Sequence, residues 1–212
     1  MIYESVGGSR AYCLETDTSD YDVFRVKNQE TKKYSENGTH IIQLSYDEFV
    51  RQAVEAPVNP CNPQLLFPHE FLLVNDLSNW IVANRENVVK AMRKDIYAGF
   101  LDRAEGLAFG ADLYYPSFPK RLVYSTHFAK VLYHYAQGMT FADAHVCQDD
   151  MKELLLAARL READKELLLA VNSEALAQAR SVAGFYTGTD NTAILDEFRA
   201  VVRAEIERSE SA

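Results

Sequence analysis

The stretch Gly7-Gly8-Ser9-Arg10-Ala11-Tyr12, followed after a short gap by Ser19-Asp20-Tyr21-Asp22-Val23, decides how the chain is read. Two adjacent glycines let a backbone approach an anion closely, and a helix opening there would aim free N–H groups at it. Ser9 adds a hydroxyl donor. Asp20 and Asp22 stand at i and i+2 of an expected strand, so both carboxylates leave the same face. Two hard oxygen ligands side by side suit Mg²⁺, which takes one or two carboxylates and completes its shell with substrate phosphate oxygens. The conjunction is a phosphate cradle facing a metal-binding pair, the equipment of phosphoryl or nucleotidyl transfer. Either half alone is common in turns and solvated loops. The two together carry the reading.

The surroundings fit a small sheet. Asp22-Val23-Phe24-Arg25-Val26 alternates as a strand does. The polar run from Asn28 to Thr39 ends at Asn37-Gly38, a hairpin signal, and His40-Ile41-Ile42-Gln43-Leu44 is the returning strand. Ser45-Tyr46-Asp47-Glu48 has capping-box spacing, with Phe49, Ala53 and Val54 on one helical face and Pro57 as the stop. From about Ser78 the pattern turns helical. Ile81, Val88, Val89 and Met92 form one stripe, and Leu122, Ser125, Ala129, Leu132, Tyr133 and Ala136 form another, closed by Gly138. Further stripes are Met151, Leu154, Leu155 and Ala158, then Leu167, Leu168 and Val171. Asn191 is placed to cap a last helix carrying Leu195, Phe198, Val202 and Ile206. The predicted class is α+β: residues 1–77 as a small mixed sheet with flanking helices, and residues 78–212 as a helical bundle.

Gly8-Ser9-Arg10-Ala11-Tyr12 with Ser19-Asp20-Tyr21-Asp22 resembles the nucleotidyltransferases of the DNA polymerase β superfamily. It looks closest to the RNA-repair-ligase-associated branch of bacteria and phages, whose signature is G-S-R-A-Y-G…S-D-x-D. Glu48-Phe49-Val50-Arg51 with Asn59-Pro60-Cys61-Asn62-Pro63-Gln64-Leu65-Leu66-Phe67 resembles that branch's K-F-x-R…N-P-N-x-x-E-L-L-F segment. His127-Phe128-Ala129-Lys130 resembles its H-x-x-R, and Leu154 to Arg159 its late helix. The likeness runs to about Arg180.

The resemblance implies a nucleotidyltransferase domain in which Asp20 and Asp22 hold Mg²⁺ or Mn²⁺. Gly8 and Ser9 would bind the triphosphate of an NTP, Arg10 would touch phosphate, and His127 and Lys130 would face the cleft. A hydroxyl acceptor, on an RNA end or a protein, would take the nucleoside monophosphate and release pyrophosphate. The chain departs from the pattern twice. Cys13 replaces a glycine, which strains the position by about 1–2 kcal/mol if its φ is positive. Gln64 stands where the family has the glutamate expected as third acid, and an amide neither accepts a proton nor ligates a metal well. A catalytically weakened nucleotide- or RNA-binding regulatory module is therefore the alternative.

Composition narrows the rest. The chain has 212 residues, 48% hydrophobic and 25% charged, which excludes a wholly disordered chain. With 22 Lys and Arg against 31 Asp and Glu, the net charge of −9 gives no global attraction for nucleic acid. Any such contact needs a local patch, for which Arg25, Lys27, Lys32 and Lys33 on the hairpin are the candidates. Lys120 and Arg121 lie near His127, and Tyr114 to Pro119 is an aromatic run able to stack a base. Three scattered cysteines, Cys13, Cys61 and Cys147, argue against disulfides or zinc. No apolar run is long enough to span a membrane and no signal peptide is evident, so a cytoplasmic location is expected.

Overall fold

The computed structural model describes residues 1–17, 19–55, 62–111, 118–146, 149–159, 164–188 and 192–211. The expected stop at Pro57, the thiols of Cys61 and Cys147, the aromatic positions 114–117 and the Asn191 cap lie outside these residues. The fold is α+β. Strands β1 (Tyr3–Val6), β2 (Tyr21–Val26), β3 (Lys32–Glu36), β4 (Thr39–Leu44) and β5 (Glu70–Phe71) form one sheet in the order β3-β4-β2-β1-β5. The β2–β4 pair is parallel and the other pairs are antiparallel. Asn37 and Gly38 both take positive φ, 50° and 80°, as a tight β3–β4 hairpin turn requires.

Strand alternation divides the sheet into two faces. Phe24, Val26 and Leu44 enter the core. On the opposite face Arg25 binds Glu4 (Nε to Oε1, 2.6 Å) and reaches Tyr34 and Glu36, both at 3.4 Å. Lys32 lies over the Tyr34 ring. The basic strip expected on the hairpin is thus divided: Arg25 is neutralised by acids. Lys33 pairs in register with Ile42, which pairs with Phe24, and so belongs to the core-side face.

Helix α1 (Tyr46–Val54) follows β4, capped by Ser45 Oγ accepting the Glu48 N–H. Glu48 does not complete the reciprocal box, because its carboxylate binds Arg51 and Gln52 instead. Helix α2 (Asp76–Ala91) begins two residues before the expected boundary, with Asn75 and Ser78 forming the reciprocal cap. Asn75 Nδ2 also donates to the Ile2 carbonyl at 2.9 Å, tying the helix to the sheet. Helices α3 (Arg93–Ala111), α4 (Phe118–Ala136), α5 (Phe141–His145), α6 (Asp149–Arg159), α7 (Lys165–Ser181) and α8 (Ala193–Ser211) complete the chain. One buried cluster runs from Ile2 and Phe24 through Leu132 to Val202, so sheet and helices share a core. Among the described residues, no helix is long and apolar enough to cross a membrane.

The α3–α4–α7 packing is the centre of the helical part. On α7 the buried stripe is Leu168, Asn172, Ala175, Leu176 and Ala179; Leu167, expected inside, is exposed. Asn172 is buried because it has partners. Its Nδ2 donates to Ser125 Oγ (2.8 Å) and Thr126 Oγ1 (3.0 Å), and Ser125 Oγ donates to the Ala104 carbonyl (2.7 Å). Three helices are joined by one polar chain in an apolar interior. Asn172→Ala leaves both hydroxyls short of a donor, and about 2 kcal/mol should be lost from the unfolding free energy measured in urea.

Candidate functional site

The Gly8 backbone is where the site is built. It has φ +65°, open to glycine and strained for other residues. A Cβ placed there would overlap Asp22 Oδ2 at 2.0 Å. Asp22 can therefore press its carboxylate against the loop only because position 8 has no side chain. The Gly7 N–H donates to the Asp22 carbonyl at 3.0 Å, continuing the β1–β2 ladder into the loop. The Gly8 N–H donates to Gln64 Oε1 at 2.8 Å, and Gln64 Nε2 donates to the Tyr12 hydroxyl. Gln64 is 3% exposed. Its amide clamps the loop to the 3-10 helix at residues 62–65, with both ends of the amide used.

The loop then makes a short 3-10 helix, Gly8–Tyr12. Cys13 closes it with φ 54° and ψ 34°. The position does take a glycine-like conformation, so the thiol-bearing residue accepts that strain. Burial pushes the Cys13 thiol pKa up, Glu15 adds to this, and Lys152 opposes it. Ser19 braces the following turn, accepting the Thr16 N–H on Oγ at 2.7 Å. Asp20 is thereby delivered just ahead of β2, which begins at Tyr21.

Gly8, Ser9, Asp20, Asp22 and Gln64 line one cavity of about 390 Å³. Five of the eight residues singled out in the sequence thus converge. Burial raises the Asp22 carboxyl pKa; His40 pulls it back, Asp20 pushes it up again, and Lys120 and Lys33 lower it. His40 Nδ1 stands 3.7 Å from Asp22 Oδ1 and 3.8 Å from Asp20 Oδ2, because His40 on β4 pairs in register with Asp22 on β2.

Three expected site residues lie elsewhere. The Arg10 guanidinium sits over the Tyr21 ring, 5.2 Å from its centroid, and does not line the cavity. Lys130 Nζ donates to Gln178 Oε1 on α7 at 2.9 Å. His127 is 2% exposed, with its ring centroid 4.8 Å from that of Tyr12. It lies about 10 Å further along α4 than Lys120, at a rise of about 1.5 Å per residue, and this depth takes it into the core. In their place Arg103, Lys120, Arg121 and Tyr124, from α3 and α4, line the same cavity as the aspartates. The signal for that lining was Lys120 and Tyr124 at i and i+4 on α4 with Arg121 beside them; Arg103 on α3 had none.

Tyr12 packs against two buried imidazoles, with His145 also 4.8 Å from its ring. Burial lowers the pKa of each histidine to about 3. Among the described residues, His127 Nε2 and both nitrogens of His145 have no hydrogen-bond partner. The chain matches no protein-family model, and it has no significant match among curated proteins.

These depressed values have a measurable sign. Between pH 6.5 and about 3 the unfolded chain binds protons that the folded chain refuses. Stability should therefore fall as pH falls through that window, by up to about 1.4 kcal/mol per pH unit for each histidine. Urea unfolding at pH 7, 5.5 and 4.5 checks this: His127→Phe or His145→Phe should flatten the acid limb, and an unchanged limb in both would contradict the burial of neutral imidazoles.

Proposed function

We propose that this chain is a divalent-metal-dependent nucleotidyltransferase of the DNA polymerase β type, moving a nucleoside monophosphate from an NTP to a hydroxyl acceptor. The reading rests on one observation: the space left by the missing side chain of Gly8 is filled by the Asp22 carboxylate, so that loop, paired acids and a cationic wall share a nucleotide-sized cavity. Its volume is within the 300–1,000 Å³ typical of small-molecule sites.

Asp20 and Asp22 would hold Mg²⁺ or Mn²⁺. Among the described residues, no three His, Cys, Asp or Glu side chains form a group able to hold a metal ion alone. Two carboxylates are nonetheless what Mg²⁺ takes when waters and phosphate oxygens fill its remaining positions. A bound ion would neutralise the α-phosphate and polarise it for attack. The other work belongs to the chain. Gly8 spends its N–H on Gln64, so its contribution is spatial: it admits Asp22. Ser9 offers its hydroxyl to the triphosphate. Arg103, Lys120 and Arg121 line the same cavity as the acids, suited to the phosphates of the leaving pyrophosphate. Tyr124, whose ring stacks on Phe128 at 27°, presents an aromatic surface to the base.

A second reading has its own support. Gln64 sits in the cavity wall at the position of the expected third acid, with its amide committed to Gly8 and Tyr12. A nucleotide-binding module with little turnover fits that commitment.

Incubation with each α-labelled NTP, Mg²⁺ or Mn²⁺, and cellular RNA and protein separates the two. Label transferred to an acceptor supports the enzyme; metal-dependent NTP binding without transfer supports the module. Asp20→Asn and Asp22→Asn should each weaken metal-dependent nucleotide binding at least tenfold in calorimetry, about 1.4 kcal/mol, with circular dichroism unchanged. Unchanged affinity in both variants would overturn the site.

A further inference from the structure

Asp22 borders two cavities. One is the nucleotide-sized space already described. The other, about 380 Å³, lies on the hairpin side and is lined by Lys33, Ser35 and His40 among others. The sheet register shows how Asp22 comes to border both. Ser35 on β3 pairs with His40 on β4, and His40 pairs with Asp22 on β2. Residues paired across neighbouring strands share a face, so Ser35, His40 and Asp22 form a row running from the sheet edge to the loop at Gly8. Lys33 stands one step along the same face, in the row of Ile42 and Phe24. Lys120 lines the first cavity and Lys33 the second. Asp22 thus stands between two spaces, each with its own cation.

We propose that the hairpin groove is the acceptor subsite, and that it takes a hydroxyl carried next to a phosphate. This rests on the nucleotidyltransferase reading. In that reaction the acceptor oxygen bonds to the α-phosphorus of the NTP. The bond from that phosphorus to the α–β bridging oxygen breaks. Pyrophosphate carries away the electron pair, and the hydroxyl proton passes to solvent. Attack and departure occur on opposite sides of the phosphorus. With the triphosphate in the first cavity, the attacking hydroxyl comes from the hairpin groove, the other space that Asp22 borders. Lys33 is exposed and has the charge to hold an adjoining phosphate in a chain whose net charge is −9. Ser35 and His40 offer hydrogen-bonding groups to a sugar. Two sources share this chemistry, the 3′ end of a single-stranded RNA and a free sugar phosphate.

The test uses the full chain and two probes: a 12-nucleotide RNA with a 3′-hydroxyl, followed by fluorescence anisotropy, and ribose 5-phosphate, followed by calorimetry. NTP binding in the presence of Mn²⁺ is measured beside them. Lys33→Gln removes the cation, and Ser35→Trp fills the groove from an exposed edge strand that tolerates aromatic residues. The expected result is a split. Acceptor affinity falls about tenfold in either variant, while NTP affinity does not follow. For RNA, the slope of log K against log salt also shrinks by about 0.7 in Lys33→Gln, one phosphate contact on a single strand. RNA alone responding identifies the strand end; ribose 5-phosphate alone responding identifies the free sugar phosphate. Acceptor binding indifferent to both substitutions overturns the groove while leaving the nucleotidyltransferase reading in place. Wild-type protein that binds NTP but neither probe also overturns it. Wild-type protein that binds no NTP overturns the underlying reading.

Discussion

Position 8 can hold no side chain, and the site follows from that. A Cβ there would occupy the place of Asp22 Oδ2. With glycine, the first turn after β1 folds down on β2 and the second aspartate meets the loop directly. The backbone N–H at the same residue is taken by Gln64, which passes the constraint on to Tyr12. One residue thus sets the spacing between loop, paired aspartates and the segment at residues 62–65. A buried amide with a partner at each end is stable; the same amide with one partner removed would leave a polar group unpaired at a cost of about 1–3 kcal/mol.

Tyr12 carries that order into the helical part. Its ring meets Tyr124 and Phe128 of α4 on one side and the two neutral histidines on others. These contacts seat the start of α4, so that Lys120 and Arg121 line the same cavity as the aspartates. Further along, α4 is held by Ser125 and Thr126 through Asn172 of α7. The cationic wall is therefore positioned by the core and by a polar chain inside it. Side chains presented from packed helices lose less freedom on meeting a ligand than side chains on a loose surface segment.

The parts of the site that were legible in the sequence are those close together in the chain. Gly8, Ser9, Asp20 and Asp22 announce themselves through residue type and short spacing, and the Asn37-Gly38 turn through the φ its two positions need. The backbone of Cys13 was left open by the sequence, and the structure gives it a left-handed conformation at φ 54°. His127 and Lys130 were misplaced because helical spacing gives the angle around an axis and says little of depth along it. His127 shares the angular sector of Lys120 but lies two turns deeper, packed against the Tyr12 and Phe128 rings. Arg10 follows the loop signature, yet a nearby Tyr21 ring holds its guanidinium away from the cavity.

By itself, the sequence determined the class of fold, the paired acids beside a glycine-rich turn, and the hairpin that follows, because each depends on periodicity or on local backbone geometry. Tertiary structure alone decided what faces the acids. His40 reaches them through the parallel register of β2 and β4, although eighteen residues separate it from Asp22 in the chain. Arg103 comes from another helix, and Gln64 becomes a clamp because Gly8 and Tyr12 converge on it. Such meetings depend on how distant segments pack, and packing is a property of the whole core that no short window of residues contains.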